Sequence, residues 1–198
     1  AKELADAKND AEQIVFMTEK AIKDLGDKVS DSDKKEAEEL IEKVNKAMKA
    51  FFPEEGYTFE SVTDYSPKSS GTTKIENIII ARNAEGAVSG GAAQVSGPTY
   101  DTGTILVGME RDGTIRGLQF LKLTDSPGFG LKAKESTFKL SNGKTFYGQF
   151  EGKNANDGFE AGKTFDAISG ATITSNGIAG LMAFGTKTLS SYIGGMNE

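Results

Sequence analysis

Three features of this sequence predict an α+β fold: an antiparallel or mixed β-sheet with packed helices, preceded by an N-terminal α-helical hairpin. Residues 1–50 are rich in Ala, Lys, Glu and Asp, lack Pro, and carry apolar side chains at helical spacing. From Phe51 onward, short β-branched runs alternate with Gly-containing turns. The last apolar stretch, 175–193, returns to helical periodicity. Strands that meet in hairpins and end in a helix favour α+β over a doubly wound parallel sheet. The expected division is a hairpin over 1–50 and a second domain over 51–198.

In the hairpin, Ala11, Val15, Thr18, Ile22 and Leu25 form one apolar seam, with Gly26 as C-cap and Lys28 beyond it. Ser30 with Asp33 resembles a capping box that opens a second helix. Ala37, Leu40, Ile41, Val44, Ala47, Met48 and Phe51 follow on one face, and Pro53 closes the run. Residues 74–82 (KIENIIIAR) suit a buried strand. Residues 86–97 (GAVSGGAAQVSG) form a strand or loop of small residues. Residues 102–109 and 115–123 flank Glu110-Arg111-Asp112-Gly113-Thr114, a strong hairpin signal. Residues 140–150 repeat that pattern around Asn142-Gly143, and 153–158 are loop. In the last helix Ile178, Leu181, Met182, Gly185, Leu189 and Tyr192 share the face that packs on the sheet.

Composition excludes whole classes of chemistry. With no Cys and no His, the chain has no Cys/His zinc site, thiolate-held cluster or histidine-activated nucleophile. A net charge of −6 with dispersed lysines argues against a nucleic-acid partner. No apolar run approaches the ~20 residues of a membrane span. The chain starts without Met or a signal peptide, so its first residue is expected to be a cut, with any membrane anchor upstream.

The stretch DAISGATITSNGI, 166–178, sits where that last helix begins. Thr174 or Ser175 is the expected N-cap. Gly170 permits close backbone approach to a ligand. Helix-start N–H groups and the macrodipole favour an anion, so the loop is built like a phosphate seat. On these grounds alone, a plain helix cap is the better explanation of the loop.

The string DAISGATITS resembles the flavinylation motif of the FMN-binding domain found in two membrane complexes. One source is the G subunit of the Rnf ion-translocating electron-transport complex; the other is the C subunit of sodium-translocating NADH:quinone reductase. The resemblance implies that Thr172 carries FMN through a phosphoester. Asp166 matches the upstream acid, Ser169, Gly170 and Ala171 match the core, and Thr174 and Ser175 fill the hydroxyl positions after it. A family loop E-T-P-G-x-G has its counterpart in Asp125-Ser126-Pro127-Gly128-Phe129-Gly130. Two positions depart from that pattern, Asp125 for Glu and Ser126 for Thr, each with a smaller side chain. Residues 97–109 only loosely match the family's G-Y-x-G-x-I approach. A second resemblance covers 8–44, which look like two helices of the C-terminal lid of DnaK-type chaperones. No chaperone nucleotide-binding or peptide-binding domain accompanies them, so that stretch is expected to be a fusion or a spacer.

The resemblance implies an electron-carrier module with no catalytic site of its own and no metal. A separate magnesium-dependent flavin transferase moves FMN from FAD onto Thr172, with Asp166 recognised by that enzyme. A chain made without the transferase is expected to be empty. The implied partners are other subunits of a membrane redox complex, on the extracytoplasmic face of a bacterial membrane, with the Rnf type favoured. Other readings are the quinone-reductase subunit, a soluble protein that binds FMN without a covalent bond, and, in another class, a helical interaction module of chaperone-lid type.

Overall fold

The protein, in a computed structural model, is described over residues 30–62 and 69–196. The first helix of the expected hairpin, with its Gly26 cap, lies outside the described residues. The elements are α1 (Asp31–Phe51), β1 (Thr58–Ser61), β2 (Ser69–Ser70), β3 (Thr73–Arg82), β4 (Val88–Pro98), β5 (Thr102–Glu110), β6 (Ile115–Leu123) and α2 (Thr172–Gly195). Short 3-10 turns at Gly130–Lys134, Tyr147–Gln149 and Ala155–Asp157 punctuate the segment between β6 and α2. The sheet order is β1-β3-β4-β5-β6, with β2 also pairing β3, and all strand pairs are antiparallel. The α+β expectation is met. Among the described residues, no helix is long and apolar enough to cross a membrane.

Each face of the sheet carries its own apolar core. Along β5 the sides alternate: Ile105, Val107 and Met109 join one cluster, and Leu106 joins the other. Strand β6 breaks strict alternation, because Ile115, Leu118, Phe120 and Leu123 all lie on the first side. Two register shifts make this possible, between Gly108 and Met109 and between Thr104 and Ile105 on the β5 partner. Each extra residue on β6 resets the side to which the next one points.

The first face packs against α2. Here the small-residue strand β4 is explained by close approach: a Cβ at Gly97 would lie 2.8 Å from Leu181 Cδ2, and one at Gly185 would lie 2.7 Å from Val95 Cγ2. Strand and helix share this shortage of side chain, so α2 lies close on the sheet. Phe146, Phe150 and Phe165 fill the end of this core edge to face.

The opposite face receives the end of α1. Ser30 caps that helix as expected: its Oγ accepts from the Asp33 N–H at 3.1 Å and donates to Asp33 Oδ2 at 2.6 Å. The expected apolar face is buried by degrees. Ala37 is half exposed, Leu40 and Val44 pack at the edge, and Ala47, Met48 and Phe51 are buried. The Phe51 ring lies on the cross-strand pair Gly108–Gly117, where a Cβ on either glycine would come within 2.4 Å of it. Arg116 fastens the helix end: its Nε–H donates to the Phe51 carbonyl at 2.6 Å and its other nitrogens pair with Glu110 and Glu54.

The Asp112-Gly113 turn forms the expected hairpin, with Gly113 at φ +94° and Asp112 Oδ1 accepting from the Thr114 N–H at 2.8 Å. The second expected hairpin, 140–150, does not form. Asn142-Gly143 does turn, with Gly143 at φ +80°. Its flanks are not strands, because Thr145 draws the backbone into a 3-10 turn through Gly148 N–H to Oγ1 (3.0 Å) and Gln149 N–H to its carbonyl (3.2 Å).

Candidate functional site

A cleft of about 450 Å³ opens where three segments meet: the β4–β5 turn, the loop after β6, and the start of α2. That size suits a small-molecule site, typically ~300–1,000 Å³. Of the sequence-predicted residues, Ser126, Gly130, Gly170, Ala171, Thr172 and Thr174 line it. The two motifs, distant in the chain, share one cavity. A larger cleft of about 590 Å³ lies between α1 and the sheet, lined by charged side chains such as Lys35, Glu36 and Lys122, and holds none of the motif residues.

The helix start is three or four residues earlier than expected. Ala171 is the N-cap position and makes no side-chain cap, so Thr174 and Ser175 lie inside the first turn. The reason is local. Gly170, at φ +78°, turns the chain straight into the helix. Ser175, fully buried, reaches backward instead of capping: its Oγ accepts from the Ile168 N–H at 3.0 Å and donates to the Ala171 carbonyl at 2.9 Å. Among the described residues, the N–H groups of Thr172, Ile173 and Thr174 have no acceptor. These are the free donors of an uncapped helix start, on residues that line the cleft.

Thr172 is exposed at the first helical position, and its hydroxyl has no hydrogen-bond partner among the described residues. Among the described residues, no carboxylate or other base engages it. By contrast, Thr174 is buried and turned to Asp125, to which its side chain hydrogen-bonds.

Asp125 lies beneath the cleft and only 2% of its surface is exposed. Its Oδ1 accepts from Thr99 Oγ1 at 2.5 Å and the Asp101 N–H at 3.0 Å, while Oδ2 accepts from the Tyr100 N–H at 3.2 Å. Burial pushes its pKa up, but the hydrogen bonds from Thr174, Thr99, Asp101 and Tyr100 outweigh it, and the carboxyl is held below the usual aspartate range. One carboxylate therefore ties the β4–β5 turn and the start of α2 to the loop. Gly130 makes the contact possible: a Cβ there would lie 2.6 Å from both Asp125 Cβ and Thr174 Oγ1.

Pro127 and Gly128 are exposed on the same loop without lining the cleft. The Pro-Gly geometry sets the turn, with Gly128 at φ +75° and the Ser126 carbonyl accepting from the Phe129 and Leu131 N–H groups at 3.3 Å each. Ser169 is exposed beside the cleft entrance in sequence but not among its lining residues. Asp166 is exposed and paired with Asn142 Nδ2 at 2.8 Å, while its backbone is clamped by the buried Gln149, which accepts its N–H at 2.7 Å and donates to its carbonyl at 3.1 Å. Among the described residues no cluster of three or more carboxylates is gathered as a metal site.

Sequence reasoning missed Tyr100, Phe129 and Ile173, which complete the cleft lining, and Thr99 and Gln149, which brace it from behind. Phe129 stands between two glycines of the Asp125–Gly130 loop and Tyr100 follows Pro98-Thr99; an aromatic residue among turn residues is the available signal.

The donor set and shape fit a flat, phosphorylated cofactor: free helix-start N–H groups for an anion, an exposed hydroxyl beside them, and an aromatic-lined opening of suitable volume. Comparison with known families agrees. The model of a family described as the FMN-binding domain matches residues 99–186. The match begins at the β4–β5 turn, ends within α2, and spans every predicted site residue.

Proposed function

From the premise that residues 99–186 belong to the FMN-binding domain family, we propose that the chain is an electron carrier with FMN held covalently on Thr172. The observation that carries this reading is the uncapped start of α2, where the unpartnered Thr172 hydroxyl and three free N–H groups line one cleft with the Ser126–Gly130 loop. A bound FMN supplies reversible one- and two-electron redox chemistry, which a chain without Cys or His otherwise lacks.

The residues divide the work. Thr172 Oγ1 provides the ester oxygen, exposed enough for a separate transferase to reach it. The transferase would join that oxygen to the FMN phosphate of FAD, breaking the bond to AMP and releasing AMP with the hydroxyl proton, so that the chain would gain FMN less water. The N–H groups of Thr172, Ile173 and Thr174 bear on the phosphate charge, and the macrodipole adds to them. Gly170 and Ala171 keep side chains out of the approach. Asp125 is a positioning residue: it holds the three segments together, and all its acceptor directions are already engaged. Asp166, exposed and some way along the loop from Thr172, is available to the transferase as a recognition group.

On the wider setting we favour the G subunit of an Rnf-type complex, with a membrane anchor upstream and redox subunits as partners on the extracytoplasmic face. The C subunit of sodium-translocating NADH:quinone reductase is the second reading, supported by the TSNGI sequence after Ala171-Thr172-Ile173. The test is the intact mass of the chain co-produced with a magnesium-dependent flavin transferase. A gain of one FMN less water supports the reading, and an unchanged mass contradicts it.

A further inference from the structure

Among the described residues, the large apolar side chains left exposed are Tyr100 (65%), Phe129 (57%), Ile173 (62%) and Met196 (41%). Single exposed apolar groups are ordinary on a protein surface. Here, however, the three most exposed come from three different segments and line the same cleft as Thr172. Met196, at the far end of α2, does not.

Their backbones are held in place while their side chains stay out. The Tyr100 N–H donates to the buried Asp125 at 3.2 Å. The Phe129 N–H closes the Ser126 turn at 3.3 Å, and its ring lies against Gly170, 3.6 Å from where a Cβ would stand. Ile173 is locked into the first turn of α2. Any side chain at Gly170 would occupy the space between that loop and the Phe129 ring. This is an apolar surface on hydrogen-bonded backbone, with two aromatic side chains lining the same cleft as Thr172.

We propose that Tyr100, Phe129 and Ile173 are the seat of the isoalloxazine ring, so that Thr172 fixes the phosphate end and these three side chains fix the ring end. This inference rests on the reading that FMN hangs from Thr172. Aromatic faces stack on a flat heteroaromatic ring, and Ile173 covers its apolar edge. The seat selects for a flavin: a sugar phosphate satisfies the helix start and leaves the aromatic surface bare. The competing occupant of the same surface is an apolar patch on a partner protein.

The test uses the full chain flavinylated by the transferase. The covalent bond survives unfolding, so native and denatured emission compare the same molecule with and without the seat. An excited flavin in contact with a phenol takes an electron from it and returns it, so light is lost with no net oxidation. The wild-type chain is expected to emit several-fold less in the folded than in the unfolded state. In Tyr100→Leu the native emission should rise several-fold toward the unfolded level. In Phe129→Ala, collisional quenching by iodide should rise several-fold. Both readings are taken per covalently bound flavin, counted on the denatured chain, and circular dichroism confirms that each variant is folded. Wild-type emission and wild-type iodide access in both variants, with flavin attached, would overturn the inference and leave the surface to a partner protein. A wild-type chain that takes no flavin at all sinks the covalent reading and this inference with it.

Discussion

The two faces of the sheet are held by different physics. On the α1 face the helix end is fastened by shape: Phe51 lies on a pair of glycines, Met48 and Phe52 are buried beside it, and Arg116 closes the edge. On the α2 face shape brings the helix in close, and a buried polar cluster then sets where its first turn stands. Asp125, Thr99, Thr174 and Ser175 are all buried, and their hydrogen bonds join the three segments that line the cleft. Apolar packing tolerates sliding of a side chain by a few tenths of an ångström, whereas a carboxylate with four donors does not. The face that carries the candidate site is the one whose position is fixed by directional bonds.

Breaking the α1 face should be the larger stability effect and the smaller site effect. Phe51→Ala removes a buried ring from a glycine-paired bed and is expected to cost about 3–5 kcal/mol of folding stability. Under conditions where the variant remains folded, covalent flavin content should be unchanged. Denaturant unfolding, read beside in-gel flavin fluorescence, checks both halves. A loss of flavin that exceeds the unfolded fraction would show that the two faces are not independent.

Asp125→Asn breaks the other face. The isosteric amide keeps the volume but places an NH₂ among donors, so a cost of about 2–3 kcal/mol is expected. The pH dependence gives the sign. A carboxyl whose folded pKa is depressed contributes fully above the ordinary aspartate value of ~3.9 and loses that contribution as pH falls through the lowered folded value. Wild-type and Asp125→Asn stabilities should therefore diverge toward neutral pH and converge in acid. Urea midpoints across that range would show parallel curves if the hydrogen bonds to Asp125 do not favour its charged form.

The smallest effect is expected at the edge of the α1 face. Arg116→Met keeps an apolar stem over Phe52 while removing partly exposed ion pairs and the bond to the Phe51 carbonyl, and should cost roughly 1 kcal/mol. A loss as large as that of Phe51→Ala would mean that charge, rather than shape, fastens this face.

The same contrast explains what the sequence made legible. Elements built on periodicity were readable: α1 with its Ser30 cap, the Asp112-Gly113 hairpin, the apolar side of α2. Each motif's own turn was also readable, in Gly128 and Gly170, but that the two loops share one site was implied only by the family resemblance. What escaped were outcomes of tertiary competition. Thr174 and Ser175 look like caps in sequence, but Asp125 and the Ile168–Ala171 loop claim their hydroxyls. Residues 140–150 look like a hairpin until Thr145 and the phenylalanine cluster take the backbone elsewhere. Asp125 reads as a ligand contact by motif position, yet its burial and four donors make it the brace under the cleft. The register shifts that keep Ile115 and Leu118 on one side of β6 leave no trace in a period-2 pattern.

The central claim is that Thr172, and not a neighbouring hydroxyl, bears the flavin. Thr172→Val and Thr174→Val, each co-produced with the flavin transferase and run on a denaturing gel under ultraviolet light, test it most directly. Thr172→Val removes an unpartnered, exposed hydroxyl, so the fold should be unaffected and the fluorescent band should vanish. Thr174→Val takes a donor from Asp125 and should lose stability by about 1–3 kcal/mol, yet keep its band. A fluorescent band that persists in Thr172→Val would contradict the assignment.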